Sequence, residues 1–216
     1  MYLSWALYAE GNSDRDYFEA LLPRVLEELI LTDGKFSVDI PTNYAVQLGK
    51  YGRTVEEVAA EACAAKNAFE LLFIHADTGG RALEDGIENR AQAYVNKMNH
   101  ICEFRADRAV IIAPKHETEA WLLADRNALL ATLGYRDTAN ALGLPDDADK
   151  AEKLIDPKAA LRSAIDAVYG NRITAKRDVS FGSIALQQDL QSLRGSASYR
   201  KFEADLRASL STWGIL

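Results

Sequence analysis

The chain reads as an α/β protein, with a mostly parallel sheet flanked by helices and a helical C-terminal region. Three observations predict this. Short apolar runs recur at residues 3–9, 71–74 and 109–113, each of strand length. Helical patterns separate them, which implies crossover connections and therefore parallel pairing. After Ala120 the strand signal disappears and the remaining pattern is helical.

The first run, Leu3-Ser-Trp-Ala-Leu-Tyr-Ala9, predicts a buried strand. Glu10-Gly-Asn-Ser-Asp14 then turns into a helix whose apolar positions are Tyr17, Phe18, Leu21, Leu22, Val25, Leu26 and Leu29. Ser13 suits an N-cap, with acidic residues in the first turn. Residues 36–40 form a short strand candidate after the turn Asp33-Gly34. Thr54-Val-Glu-Glu57 is a capping box, opening a helix with Val58, Ala59, Ala62 and Ala65 on its apolar side. Residues 71–74 are continuously apolar, as expected of a central strand covered on both faces. Gly79-Gly80 breaks the chain before a helix over residues 83–101. Residues 109–113 form another apolar strand, closed by Pro114.

Trp121, Leu122 and Leu123 begin a helical pattern that runs through Leu129, Leu130 and Leu133 to Gly134, with Trp121 read as core. Leu144-Pro-Asp-Asp147 is a loop, and helices follow at residues 158–168, 183–193 and 199–210. The expected organisation is a sheet layer over residues 1–125 and a helical region over 126–216, packed together as one unit.

With 216 residues, 48% hydrophobic, 13 Gly and 5 Pro, the chain has the composition of a globular protein able to bury a large core. No apolar stretch approaches the roughly 20 residues of a membrane span. The N-terminus has no signal-peptide pattern, so a cytoplasmic protein is expected. Cys63 and Cys102 lack metal-ligand spacing and are read as two reduced thiols packed in helices. Net charge is −7, unevenly spread. Residues 1–149 carry 14 basic and 25 acidic side chains, a balance of −11. Residues 150–207 carry 11 and 7, a balance of +4. Within that basic part, Arg172, Lys176 and Arg177, with Arg194, Arg200 and Lys201, are candidates for a phosphate-facing surface.

Three strand ends carry acids: Glu10, His75-Ala-Asp77 and His116-Glu-Thr-Glu119. Open α/β sheets bind ligands at the carboxyl ends of their strands, and oxygen ligands suit Mg²⁺ or Mn²⁺. Glu10, Asp77 and Glu119 form the expected metal set if their strands are neighbours, with Glu117 as an alternative to Glu119. Asp14 lies four residues after Glu10 and could reach the ion or a bound water. Asp14 or His75 could orient or deprotonate that water, and Lys115 could offset charge on a phosphate. No Gly-x-x-x-x-Gly-Lys loop is present, which argues against a nucleotide-binding P-loop. His100, at a helix end, reads as structural.

These residues resemble a known family. Glu10-Gly after a strand, an acid-bearing turn after the central strand and an acid after a later strand are similar to the Toprim domain of topoisomerases, bacterial primases and the overcoming-lysogenization-defect (OLD) nucleases. Glu10-Gly-Asn-Ser-Asp14 resembles the nuclease version. His75-Ala-Asp77, Thr118-Glu-Ala-Trp-Leu-Leu123 and Asp156-Pro-Lys158 resemble a prokaryotic family of small, uncharacterised Toprim-like proteins, a likeness spanning most of the chain. The Thr-Glu-Ala-Trp-Leu-Leu string favours Glu119 over Glu117. The chain departs from the usual Asp-x-Asp of the central strand, having His75 in place of the first acid.

The resemblance implies a Toprim-like (Rossmann-like) sheet. It also implies Mg²⁺- or Mn²⁺-dependent phosphodiester hydrolysis or strand transfer on DNA or RNA, and a role in defence against phage or mobile elements beside an ATPase partner. The alternative is a non-catalytic binding or regulatory module, favoured by the acidic N-terminal half and by His75. Phosphoryl transfer on a small molecule ranks third. All of these expectations require Glu10, Asp77 and Glu119 to meet without being locked in closed ion pairs.

Overall fold

The computed structural model describes residues 1–48, 54–137, 142–170, 172 and 179–216. Among these, four strands form one parallel sheet: β1 (Trp5–Tyr8), β2 (Val46–Leu48), β3 (Leu71–His75) and β4 (Ala109–Ile112), in the order β2-β1-β3-β4. Tyr8 stands opposite Leu48 on one side and Ile74 on the other, and His75 opposite Ile112. Every residue of β1 and β3 is buried, because helices cover both faces of a sheet built by crossovers.

Strand alternation divides the core in two. Trp5, Leu7, Leu71 and Phe73 face α1 (Asn12–Asp33) and the C-terminal helices. Ala6, Tyr8, Leu72 and Ile74 face α2 (Val55–Ala65) and α4 (Gln92–Cys102). α2 starts with the predicted capping box: Thr54 Oγ1 accepts from the Glu57 amide at 3.2 Å, and the Glu57 carboxylate accepts from the Thr54 amide at 2.9 Å.

Four sequence expectations are corrected. Residues 36–40 make only an isolated bridge, Tyr2 to Asp39; the sheet edge is taken by β2, which pairs in register with Ala6–Tyr8. α1 begins at Asn12, with Gly11 and not Ser13 in the capping position. A Cβ at Gly11 would lie 2.7 Å from an Asp14 carboxylate oxygen, so a larger residue there would push the Asp14 side chain aside. The helix expected over 183–193 is two short ones, α9 (Phe181–Gln187) and α10 (Leu190–Leu193). It breaks at Gln188, whose side chain is needed elsewhere: its amide nitrogen donates to the Trp121 carbonyl at 2.7 Å and its oxygen accepts from the Tyr17 hydroxyl at 2.7 Å. Lastly, Cys63 and Cys102 are bonded to each other, joining α2 to α4 across 39 residues of sequence.

The helix expected over 83–101 is present in three pieces. These are α3 (Leu83–Gly86), a π-helical turn (Ile87–Ala91) and α4. The helices after the sheet are α5 (Glu119–Leu122), α6 (Arg126–Thr132), α7 (Ala148–Glu152), α8 (Pro157–Tyr169), α9, α10 and α11 (Ala197–Thr212). They share one hydrophobic cluster with β1, β3 and β4. Trp121 sits at its centre, fully buried against Phe18, Tyr199 and Phe202, with its indole N–H on Ser198 Oγ at 2.7 Å. The Glu152 carboxylate accepts from Ser196 Oγ and the amides of Ala197 and Ser198 at 2.5–2.9 Å, anchoring the start of α11.

Among the described residues, no helix is long and apolar enough to cross a membrane.

Candidate functional site at the carboxyl ends of β1, β3 and β4

β1 leads through α1 toward one edge of the sheet, and β3 leads through α3 and α4 toward the other. The strand order therefore reverses between them, and the gap beyond their carboxyl ends is where ligands enter such sheets. Glu10 follows β1 and Asp77 follows β3. The segments after β3 and β4 continue side by side: the Ala76 amide donates to the Ile112 carbonyl at 3.0 Å, Thr78 to Pro114 at 3.3 Å and Gly79 to His116 at 3.1 Å. This zipper carries Thr118 and Glu119 to the same end.

His75, the last residue of β3, is the hub. It is fully buried, with its ring against Phe18 at 4.8 Å. Its Nε2 lies 3.0 Å from Asp77 Oδ1 and 3.2 Å from Thr118 Oγ1, and its Nδ1 receives a long 3.4 Å contact from the Glu10 amide. Burial opposes a charged imidazole. The Asp77 bond and the charges of Asp77, Asp14 and Glu10 outweigh it, so the His75 pKa is raised. We take Nε2 as protonated, since it faces a carboxylate at the shorter distance.

The acids around this hub feel one another. Burial raises the Glu10 pKa; His75 and Arg90 oppose that, and the charge of Asp77 adds to it. Burial likewise raises Glu119, its own amide and Lys158 oppose this, and Glu117 and Asp14 add to it. Glu10 thus feels Asp77, Glu119 feels Glu117 and Asp14, and His75 feels Asp77, Asp14 and Glu10. Two cations answer them. Arg90 Nη2 contacts both oxygens of Glu10, at 3.0 and 3.4 Å, and Lys158 Nζ lies 3.7 Å from Glu119. The first pair stays open to solvent, its side chains 35% and 28% exposed, so it is not a closed ion pair.

The donor chemistry fits a hard divalent cation, being carboxylate oxygen throughout. Glu10, Asp77 and Glu119, with Asp14, are the side chains that would hold one. Among the described residues no three His, Cys, Asp or Glu side chains are placed to share an ion in this arrangement. Arg90 occupies Glu10, so a cation there must displace it.

The remaining expected residues are more dispersed. Glu117 is half-buried and acts on Glu119 only through its charge. Lys115 is within electrostatic reach of Asp149 on α7. Arg172 folds back on the end of α8, donating to the carbonyls of Tyr169 and Val168 at 3.3 and 3.1 Å. Lys176 and Arg177 lie outside the described residues. Arg194 is held by Glu203 and Glu28 at 2.7 and 2.6 Å, and Lys201 by Asp205 at 2.5–2.6 Å. Arg200 donates to two backbone carbonyls.

Arg90, Thr118 and Lys158 were not anticipated as site residues. Asp156-Pro-Lys158 was noted only as a motif. Nothing near Arg90 in sequence signals a partner 80 residues away. A hollow of about 380 Å³ opens beside Glu119, lined by Lys158, Leu161, Arg162, Ile165 and Phe181 among others. A larger one, about 590 Å³, lies at the amino ends of the strands against Phe69, Glu70 and Arg108, away from the strand-end acids.

Fold and site together define a Rossmann-like α/β protein with acids after its strand ends where the strand order reverses. No protein-family model, curated protein or solved structure matches the chain. The Toprim resemblance therefore rests on the motifs quoted above.

Proposed function

We propose that the protein is a Toprim-like, Mg²⁺- or Mn²⁺-dependent enzyme of phosphodiester hydrolysis or strand transfer on nucleic acid. One observation supports this above others: Glu10, Asp14 and Asp77, from the segments after β1 and β3, surround His75 where strand order reverses, and Thr118, next to Glu119, meets the same imidazole. In this reading Glu10, Asp77 and Glu119 hold the cation. A bound ion would supply polarisation of the scissile phosphate and acidification of a water. Asp14, half-buried at the start of α1, would orient the attacking water or take its proton. His75 has no exposure to solvent and acts through Asp77, as a positioning residue. Lys158 and Lys115 supply positive charge near the crevice. The biological setting that the resemblance implies is defence against phage or mobile elements, beside an ATPase partner.

The test is cleavage of DNA and RNA with Mg²⁺, Mn²⁺ or EDTA, by the native protein and by Glu10→Gln. Cation-dependent cleavage lost in a folded Glu10→Gln variant supports the reading. Equal cleavage by the variant overturns it.

A second reading, a non-catalytic binding or regulatory module, is favoured by the pairing of Arg90 with Glu10. A salt bridge at the first acid is a stable resting arrangement that needs no ion. Thermal melting with Mn²⁺ or EDTA separates the two when combined with the cleavage assay. Stabilisation by the ion with no cleavage of any substrate favours the module.

A further inference from the structure

The sequence marks Gly79-Gly80 only as a break between β3 and the next helix. In the fold this turn faces the same crevice as Glu10, and two arginines converge on it. A Cβ built on Gly79 would lie 3.6 Å from Nη1 of Arg81 and 3.6 Å from Nη1 of Arg90. Gly79 and Gly80 both have left-handed backbone, with φ of +61° and +77°, a conformation in which a side chain is strained. The turn therefore presents bare backbone between two guanidinium groups.

We propose that Arg81 and Arg90, with the Gly79-Gly80 turn between them, form a phosphate-binding subsite beside Glu10, in which Arg90 exchanges the Glu10 carboxylate for a phosphoryl group. The proposal rests on the reading of the substrate as a phosphoester and names the side chains that would receive its phosphate.

Neighbouring groups pack closely around the turn. His116 packs its ring against Gly80, where a Cβ would lie 2.7 Å from it. The His116 backbone is itself left-handed, with φ of +67°, unusual for a residue with a side chain. It is held there by its amide on Thr78 Oγ1 at 3.0 Å and by its carbonyl, which accepts from the Gly79 amide at 3.1 Å. Thr78 is fully buried. Arg90 reaches the crevice from the π-helical turn Ile87–Ala91. Such turns inside α-helices are frequent at functional sites. Arg81 is exposed, its Nη1 approaching the Thr78 carbonyl at 3.4 Å. A guanidinium presents paired donors that match phosphate oxygens.

Charge decides when the subsite can fill. Glu10, Asp14, Asp77 and Glu119 repel a bare anion, and Glu10 competes directly for Arg90. Removing the Glu10 charge must therefore strengthen phosphate binding while weakening cation binding. These opposite signs in a single variant are a signature that general surface attraction does not produce.

The experiment is calorimetric titration of the full chain with pyrophosphate in EDTA, with sulfate at matched ionic strength as control. Pyrophosphate should bind more tightly than sulfate. Arg81→Ala and Arg90→Ala should each weaken it about tenfold or more, the loss expected for a charged hydrogen bond. Arg90→Lys should behave nearly as Arg90→Ala, and Glu10→Gln should tighten binding. Arg126→Ala, whose guanidinium pairs with Asp146, should change nothing. Equal affinity in a folded Arg81→Ala/Arg90→Ala variant, equal binding of sulfate, or weaker binding by Glu10→Gln overturns the proposal. Should Arg90 variants fail to fold, the exposed Arg81 still decides it. Melting with Mn²⁺ keeps the two readings apart: ion stabilisation without pyrophosphate binding sinks the subsite alone. Arginine-dependent pyrophosphate binding without any Mn²⁺ response sinks the metal reading alone.

Discussion

His75 Nε2 and Asp77 Oδ1 stand 3.0 Å apart at the end of β3, with the imidazole sealed from solvent and the carboxylate at the crevice wall. The pair fixes an acid of the site from inside the core. Because the folded His75 pKa is raised, its contribution to stability is fully present below the unfolded value of about 6.5. It is lost as pH rises through the folded pKa. Titration of the His75 ring protons by NMR should give a midpoint above the ordinary histidine value. Asp77→Asn keeps an oxygen that can accept from Nε2 but loses the charge, so it should lower that midpoint and cost about 1 kcal/mol at pH 6, the difference between a charged and a neutral hydrogen bond.

Glu119 offers a test of opposite sign. Burial raises its pKa, so ionised Glu119 opposes folding at neutral pH, and the fold loses stability as pH rises through the raised value. Glu119→Gln should therefore stabilise the protein by about 0.5–1 kcal/mol at pH 7. The gain should shrink as pH is lowered, read as the difference in Tm between the two proteins across the pH range.

A proton on Glu10 excludes a cation from it. The acid limb of the proposed cleavage activity should accordingly lie above the ordinary glutamate range, following the raised Glu10 pKa. Arg90→Gln removes a charge that favours the carboxylate and should shift this limb to still higher pH. An acid limb unchanged in Arg90→Gln would show that Glu10 does not control the step.

The Cys63–Cys102 bond closes a loop of 39 residues. On the chain-entropy account such a closure contributes about 3–4 kcal/mol. Cys63→Ser/Cys102→Ser, or the reduced protein, should melt at lower temperature by a corresponding amount. Thiol titration of the unfolded chain should find no free thiols until a reductant is added.

Trp121 joins the sheet layer to the helical region. Trp121→Ala should cost about 3–5 kcal/mol by cavity formation, measured by chemical denaturation. It would also leave Ser198 Oγ without its indole donor.

Much of the architecture was legible because it follows from periodicity. The runs that became β1, β3 and β4 are continuously apolar, as strands covered on both faces must be. The pattern from Tyr17 to Leu29 gave α1 its buried side. β2 was misplaced since Val46–Leu48 is an edge strand with one buried residue, too little apolar signal to compete with residues 36–40. The break at Gln188 was invisible because it serves Trp121 and Tyr17, contacts made only after folding.

By itself the sequence determined that strands alternate with helices and that acids stand at three strand ends, since both follow from local chemistry along the chain. Only the tertiary structure decided the company those acids keep. It set Asp77 against a buried His75, brought Arg90 from a π-helical turn onto Glu10, placed Lys158 beside Glu119, and joined two cysteines read as separate thiols. Each is a contact between groups distant along the chain, fixed by strand order and helix packing, and no local pattern carries that information.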